Sequence, residues 1–214
     1  MLRKETISKP TLELLRMLMQ DQSLKDFFLV GGTALSLQIG HRISIDIDLF
    51  TTKEFDENSM LNKLEAKYGF SQLYQDKNTL KGEVNDIKVD LLSHTYPLIK
   101  PLVVIDGIRM ASLNDIAAMK LNAISGNGTR IKDFIDIAYL SSSLTFAEMV
   151  SAYEQKYASR NAVMVIKAVN YYEDIELTTK VQVLDKNYQW ENIKSRLDKM
   201  TVAPKQLFPH LQKK

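Results

Sequence analysis

Residues 28–50 read FLVGGTALSLQIGHRISIDIDLF, and this stretch decides the fold because its hydrophobic period changes along it. Phe27–Val30 is a short apolar run, typical of a buried strand, and it ends at two glycines. Residues 33–39 contain no helix breaker and predict a short helix that Gly40 would end. Apolar and polar residues then alternate over 43–50, which indicates a second strand. The apolar face of this strand, which we expect in the core, consists of Ile43, Ile45, Ile47 and Leu49.

The remainder of the front half extends this α/β pattern. Helical spacing predicts one helix from Pro10 to Gln20 and another over residues 60–67. Two strand-like stretches within residues 78–92 flank Asn85-Asp86, and two more flank Asp106-Gly107. Both dipeptides tolerate the positive φ of a tight turn, so each pair of stretches predicts a β-hairpin.

The sequence changes to a helical period at Ser112, whose spacing to Asp115 resembles a capping box. We expect an α/β core over residues 1–111 and a helical C-terminal region over 112–214. The fold class that follows is α/β (α+β), a mixed sheet with flanking helices followed by a C-terminal helical bundle. The expected C-terminal helices lie at about 113–125, 130–142, 146–157, 160–173 and 190–199.

The composition excludes several kinds of chemistry. The chain has no cysteine, which excludes disulfides, thiolate nucleophiles and iron–sulfur clusters, and its three histidines lie too far apart in sequence to favour a zinc site. The net charge of +2 at pH 7 is far below that of a protein that coats nucleic acid, so any such contact must be local. The longest apolar run, residues 27–37, is too short to cross a membrane. We expect a cytoplasmic protein without a membrane partner.

Three aspartates follow one pattern. Asp46 and Asp48 stand two positions apart on the predicted strand, so both carboxylates project from the face opposite the apolar one. Asp90 lies on the corresponding polar face of its own predicted strand, residues 87–91. If the two strands are neighbours, the three carboxylates could hold two Mg²⁺ ions for phosphoryl transfer. The alternatives are a solvated strand face for Asp46 and Asp48 and an ordinary exposed acid for Asp90.

The turn Gly31-Gly32-Thr33 lies between a strand and a helix. Its glycines allow close approach of a ligand to backbone N–H groups at the positive end of the helix, which favours phosphate. It is not a P-loop, because the Gly-Lys-Ser/Thr ending is missing, and a turn chosen for packing remains the alternative. The Thr33 hydroxyl would contact the phosphate or cap the helix.

Several charged residues leave two interpretations open. Lys120 occupies a position that helical spacing assigns to the packed face, so its ammonium either extends outward or binds an anion such as a triphosphate. Asp133 and Asp136 lie outside the apolar face of the next helix, where they could form ordinary surface pairs. His41 and Arg42 are either loop residues or contacts to phosphate or substrate, and for His41 we favour the loop.

These motifs together resemble the signature of the nucleotidyltransferase superfamily: a glycine-rich turn at residues 28–35, a D-x-D strand at 41–50 and a third acid at 88–90. Residues 118–123, AMKLNA, and 130–137, RIKDFIDI, are similar to the downstream motifs of the AbiEii/AbiGii toxin family. The toxin branch also shares the Gly-Gly-Thr form of the turn. The motifs span about half of the chain, and their joint occurrence in order is more specific than any one of them.

The resemblance implies a nucleotidyltransferase-like fold and a Mg²⁺-dependent enzyme (EC 2.7.7 type) that transfers an NMP from an NTP to an acceptor hydroxyl. It also implies membership of a toxin–antitoxin or phage-defence system, with the tRNA 3′ end as one acceptor and a cognate antitoxin as partner. The implied site residues have distinct roles. The metal ligands would be Asp46, Asp48 and Asp90, and the phosphate contacts would be Gly31, Gly32, Thr33 and Arg42. Lys120 would stabilise the triphosphate, and Asp133 would be the acid of the family's fourth motif.

Two other functions remain open at this point. The chain could be an inactive binding protein on a transferase scaffold, although its intact acids argue against that. It could also be a transferase whose acceptor is a small hydroxylated molecule or a protein side chain. Basic residues of the back half could contact RNA or simply form a solvated surface: Lys156, Arg160, Lys167, Lys194, Arg196, Lys199, Lys205, Lys213 and Lys214.

Overall fold

The structure is a computed structural model that describes residues 1–211; residues 212–214, and with them Lys213 and Lys214, lie outside the described residues. The chain divides into two compact units. The first contains residues 1–38, 44–97 and 102–111, and the second contains residues 39–43, 98–101 and everything from Ser112 onward.

Three α-helices belong to the first unit: α1 (Lys9–Gln20), α2 (Gly31–Ile39, whose last residue is assigned to the second unit) and α3 (Glu57–Tyr68). Ser8 caps α1, because its hydroxyl accepts a hydrogen bond from the Thr11 amide at 3.1 Å. Pro10 lies in the first turn, where its missing N–H costs no helical hydrogen bond. All three helices confirm the sequence-based expectations within a few residues.

One mixed sheet of seven strands forms the centre of the first unit, in the order β3-β4-β5-β2-β1-β7-β6. β2 pairs with β5 and β1 with β7 in parallel, and the other neighbours are antiparallel. This sheet confirms the predicted fold class. The strands are β1 (Phe28–Leu29), β2 (Ile47–Thr51), β3 (Ser71–Asp76), β4 (Thr79–Val84), β5 (Ile87–Ser93), β6 (Val103–Ile105) and β7 (Ile108–Met110).

Both predicted hairpins form. Asn85 and Asp86 have φ values of 49° and 62° between β4 and β5, and Asp106 and Gly107 have φ values of 51° and 78° between β6 and β7. These are the left-handed conformations that a two-residue hairpin turn requires.

The acid-bearing strand is shorter than its alternating pattern predicts. β2 begins at Ile47, and the preceding residues 43–46 are not in a strand. Ile45, which we expected in the core, is 60% exposed. The physical reason is a long-range pairing, because the Ile43 amide donates to the Gln182 carbonyl at 2.8 Å and the Leu184 amide donates to the His41 carbonyl at 2.8 Å.

Five α-helices lie in the described part of the second unit, up to residue 211: α4 (Leu113–Asn127), α5 (Ile131–Leu140), α6 (Phe146–Lys156), α7 (Ala162–Val169) and α8 (Trp190–Val202). Each matches an expected helix. Their core contains fully buried side chains from α4, α5 and α6, including Ile116, Leu121, Phe134, Met149 and Tyr153.

Lys156 is not a surface residue, contrary to its place among the basic residues suggested for RNA contact. It is 3% exposed, and its ammonium lies 2.9 Å from the carboxylate of Asp115. Asp115 also accepts hydrogen bonds from the Ile99 and Lys100 amides, at 2.9 and 3.3 Å. The pair therefore fixes residues 98–101 within the second unit.

Of the helices within residues 1–211, none combines the length and the apolar character that crossing a membrane requires.

Candidate active site

Asp48 and Asp90 occupy paired positions on the neighbouring parallel strands β2 and β5. In each strand the residues on either side of the aspartate are buried and apolar, so both carboxylates project from the other face of the sheet. Neighbouring strands lie about 5 Å apart, which places two carboxylates within reach of one divalent cation. The register thus brings together two of the three acids that the sequence singled out.

Asp46, the third acid, lies just before β2 and is partly exposed. Its carbonyl oxygen accepts a hydrogen bond from the Thr33 hydroxyl, which also lies 3.0 Å from the Ser44 hydroxyl. Thr33 is 1% exposed. Its hydroxyl is therefore occupied within the protein, where it holds residues 44–46 beside the start of α2.

Gly31 lies directly beside the carboxylate of Asp48. A Cβ atom on residue 31 would stand 2.6 Å from Oδ2 of Asp48, and the φ of +67° is one that residues with a side chain rarely adopt. The Val30 amide donates to the Asp48 carbonyl at 2.9 Å, which fixes the glycine turn against β2. Gly31, the first residue of α2, is thus in immediate contact with Asp48, a candidate metal ligand.

Two lysines and one acid influence Asp90. The ammonium of Lys81, which faces Asp90 across β4 and β5, lies 3.6 Å from its carboxylate. Burial raises the pKa of Asp90, Lys81 and Lys88 oppose the rise, and the charge of Asp46 adds to it. An additional cation would therefore favour the ionised form of Asp90.

The donor set suits a hard cation, because carboxylate oxygens are the ligands that Mg²⁺ prefers. Among residues 1–211, no group of three or more histidine, aspartate or glutamate side chains is arranged so that it could hold a metal ion as it stands. Asp48 and Asp90 are adjacent, and Asp46 is near enough to affect the pKa of Asp90. The carboxylates of these acids have the chemistry that Mg²⁺ binding requires.

A second group of charged residues lies buried within the helical unit, around Asp136. This carboxylate, 0% exposed, accepts hydrogen bonds from Arg42 Nε and Nη2 at 2.7 and 3.0 Å. It also lies 2.7 Å from His41 Nε2 and 2.7 Å from the ammonium of Lys120. Lys120 in turn lies 2.6 Å from Asp133. We call these five residues the Asp136 cluster.

The charges of the Asp136 cluster balance, with two cations, two carboxylates and a histidine. Lys120 and Arg42 hold the pKa of Asp136 well below its usual range, against the opposing effect of burial. Burial lowers the pKa of His41, although Asp136 opposes this, so the ring is neutral at neutral pH. The ammonium of Lys120 therefore lies between two carboxylates, and only 7% of the residue is exposed.

The sequence did not predict the buried roles of Asp136 and His41: a surface pair was one interpretation of Asp136, and a loop role was favoured for His41. The available signal was α5 itself, which carries apolar residues around most of its circumference. Such a helix is buried, so an acid on it needs buried partners. Lys81 was also missed, although the two-residue turn at Asn85 and Asp86 sets the register that pairs it with Asp90.

Comparison with known proteins gives a family match over most of the chain. The model of the nucleotidyl transferase AbiEii toxin family, described as a type IV TA system, matches residues 13–70 and 85–208. An uncharacterized protein of Aquifex aeolicus (strain VF5), aq_aa25, is 36% identical over 155 residues, which cover 70% of this chain and 75% of that protein.

Two solved structures from Helicobacter pylori share the fold. One, a candidate nucleotidyltransferase, has a TM-score of 0.57 at 19% identity, over 92% of this chain and 95% of its own. The other, JHP933, has a TM-score of 0.54 at 19% identity, over 92% of each chain.

Proposed function

Because the chain belongs to the AbiEii family of nucleotidyl transferase toxins, we propose that it catalyses transfer of an NMP from an NTP to an acceptor hydroxyl. The acceptor oxygen forms a bond to the α-phosphorus, the bond from that phosphorus to the β-phosphate oxygen breaks, and pyrophosphate leaves. The observation that carries the proposal is the pairing of Asp48 with Asp90 in one register, with Gly31 against Asp48.

Asp46, Asp48 and Asp90 are the proposed metal ligands. When bound, Mg²⁺ would neutralise charge on the phosphates and polarise the α-phosphoryl group. Burial raises the pKa of Asp90, so this carboxylate is also the best candidate to accept the proton of the attacking hydroxyl. The protein's contribution is mainly the position of its charges.

The proposed phosphate contacts are the backbone N–H groups at Gly31, Gly32 and Thr33, where α2 begins. The Thr33 hydroxyl acts instead by holding Asp46, in line with its contacts. Arg42, Lys120 and Asp133 form ion pairs within the Asp136 cluster, and these contacts favour a structural role for the three residues. Direct binding of triphosphate by Lys120 stays a prediction. It would require the ammonium to leave the two carboxylates that it contacts.

The wider biological role follows from the family. We infer that the protein acts in the cytoplasm as the toxin of a toxin–antitoxin pair, that a cognate antitoxin neutralises it, and that the tRNA 3′ end is its first acceptor to test. A small hydroxylated molecule and a protein side chain are the other acceptors.

The test is incorporation of labelled nucleotide into tRNA, protein and small-molecule pools in the presence of Mg²⁺. The variants Asp48→Asn and Asp90→Asn should each lower incorporation at least about 100-fold. The matched control is Asp86→Asn, an exposed acid on the same hairpin whose φ of 62° asparagine tolerates. Incorporation that survives in both site variants would refute the proposal.

An inactive scaffold makes a different calorimetric prediction. The enzyme should bind an NTP with affinity that depends on Mg²⁺, and the Asp48→Asn variant should lose that dependence. A protein that binds partners without turnover would give no metal-dependent heat with any NTP.

A further inference from the structure

A cavity of about 320 Å³ lies entirely within the helical unit, beside α8. Tyr139 and Arg196 line it together with Tyr188, Gln189 and Lys199. Its volume falls at the lower end of the range for small-molecule sites, which runs from about 300 to 1,000 Å³. A single nucleotide fits such a space.

Five polar side chains of this cavity, four of them exposed to solvent, have no hydrogen-bond or ion-pair partner in the part of the chain that the structure describes. Among residues 1–211, the side chains of Tyr188, Gln189, Asn192, Ser195 and Lys199 make no hydrogen bond or ion pair with another side chain or with the backbone. Donors and acceptors that line a concave surface without internal partners are available to a ligand.

Arg196 indicates the charge of that ligand. Its Nη1 donates to the Ser141 hydroxyl at 3.1 Å and to the Pro209 carbonyl at 2.9 Å, and its guanidinium lies 5.0 Å from the centre of the Phe208 ring. No carboxylate of residues 1–211 lies within 4 Å of this half-buried guanidinium. A cation that is partly removed from water and has only neutral partners favours an anion, and phosphate matches its planar donors.

The cavity also contains one acid, Asp185. Its carboxylate accepts hydrogen bonds from the Tyr139 hydroxyl at 3.3 Å and from the Asn187 amide at 2.9 Å. Asp185 therefore already has partners, and its remaining acceptor capacity suits sugar hydroxyls more than a second phosphate. An inorganic anion alone would leave the aromatic and amide groups of the cavity unused.

We propose that this cavity binds a nucleoside monophosphate unit without a divalent metal, either as a free nucleotide or as part of a single-stranded RNA. Arg196 and Lys199 would bind the phosphate, a tyrosine ring would stack on the base, and Gln189 and Asn192 would bind its edge. The inference rests on the cavity alone and does not require the proposed transferase activity.

The only tryptophan of the chain, Trp190, provides a direct reporter. It begins α8 immediately after Gln189 and packs against Phe134 and Tyr172.

The intact protein is titrated in EDTA with AMP, CMP, GMP and UMP, with inorganic phosphate, with adenosine and with a single-stranded hexaribonucleotide, while Trp190 fluorescence is recorded. At least one monophosphate should bind saturably and at least about tenfold more tightly than phosphate or adenosine alone. A hexaribonucleotide that binds more tightly than every monophosphate identifies RNA as the source, and one that binds more weakly identifies the free nucleotide.

The variant Lys199→Met removes an exposed cavity cation that makes no hydrogen bond or ion pair with residues 1–211, so the fold should be unaffected. It should weaken binding of the monophosphate about three- to tenfold. The control Lys194→Met makes the same change on the same helix, at a residue that pairs with Glu191 and does not line the cavity. Arg196→Lys, which keeps the charge but loses the planar donors, should also weaken binding.

The Asp48→Asn variant separates this inference from the proposed function. It should retain full monophosphate binding in EDTA even though it loses nucleotide transfer. The inference is overturned if no monophosphate binds saturably, if phosphate alone binds as well as the nucleotides, or if Lys194→Met weakens binding as much as Lys199→Met.

Discussion

The α-carbon of Gly31 stands so close to Asp48 that a Cβ on residue 31 would lie 2.6 Å from the carboxylate oxygen Oδ2. The contact links the residue that begins α2 to the acid that pairs with Asp90. An alanine at this position must displace the carboxylate or the turn. We therefore predict that Gly31→Ala lowers nucleotide transfer about 100-fold, because a small displacement of a metal ligand is enough to do so.

Gly69→Ala is the matched control for this prediction. Gly69 has nearly the same φ, +66°, but nothing lies within 4 Å of a Cβ placed on it. It should lose about 1 kcal/mol of stability from backbone strain and keep its activity. Denaturant unfolding and a transfer assay on both variants distinguish strain from displacement, and equal activity losses would contradict the role assigned to Gly31.

The contacts of Lys120 within the Asp136 cluster predict that its replacement strongly lowers the stability of the protein. Lys120→Met leaves Asp136 buried with Arg42 as its remaining cation, and leaves Asp133 buried with only Arg130 nearby, at 3.9 Å. We therefore expect a loss of about 3–5 kcal/mol in the free energy of unfolding. The double variant Lys120→Met, Asp133→Asn removes the excess negative charge and should recover part of that loss. Lys194→Met, which breaks an ion pair with the exposed Glu191, should cost less than about 1 kcal/mol.

The same variant decides between two roles of Lys120. A Lys120→Met protein that keeps its stability but needs more NTP for half-maximal transfer would support direct triphosphate binding. A protein that loses stability while the folded fraction keeps its NTP dependence would support the structural role within the Asp136 cluster.

Local patterns predicted the parts of the fold that local chemistry determines. The turns at Asn85-Asp86 and Asp106-Gly107 need positive φ, and the helices show their spacing and caps, so these elements were predictable. β3 was not, because its residues are almost all exposed and therefore show no alternation between apolar and polar positions. The sequence predicted that Asp48 and Asp90 could meet, but only the parallel register of β2 and β5 places them opposite each other.

Contacts between distant residues limited the prediction of the rest. Alternation over residues 43–46 suggested more strand, yet Ile43 pairs with Gln182, far along the chain. An ordinary surface pair was one interpretation of Asp136, whereas its partners Arg42 and His41 lie about 95 positions earlier. A single sequence contains no signal for such pairings, because local spacing does not specify which distant segments pack together.

The buried neutral His41 predicts a pH dependence of stability. Because burial lowers its pKa in the folded state, the unfolded chain, with a histidine pKa of about 6.5, binds more protons in the window below that value. Stability should therefore fall as the pH drops from 7.5 to 5.0, and His41→Asn should reduce that fall. The exposed His210 serves as control, and His210→Asn should leave the pH dependence as it is in the unmodified protein. Denaturant midpoints at several pH values test this, and identical profiles for His41→Asn and the unmodified protein would contradict it.

Replacement of Lys81 should change metal affinity in the opposite direction to replacement of the acids. Its ammonium lies 3.6 Å from the Asp90 carboxylate and lowers the pKa of that group, so it competes with a divalent cation for the same oxygens. Lys81→Met should therefore tighten binding of Mn²⁺, used as a spectroscopic substitute for Mg²⁺, about two- to fivefold at pH 7 and low salt. Lys77→Met removes a lysine near the exposed Glu54 on the same unit and should leave Mn²⁺ affinity unchanged. Weaker Mn²⁺ binding in Lys81→Met would mean that the lysine supports the metal site instead of competing with it.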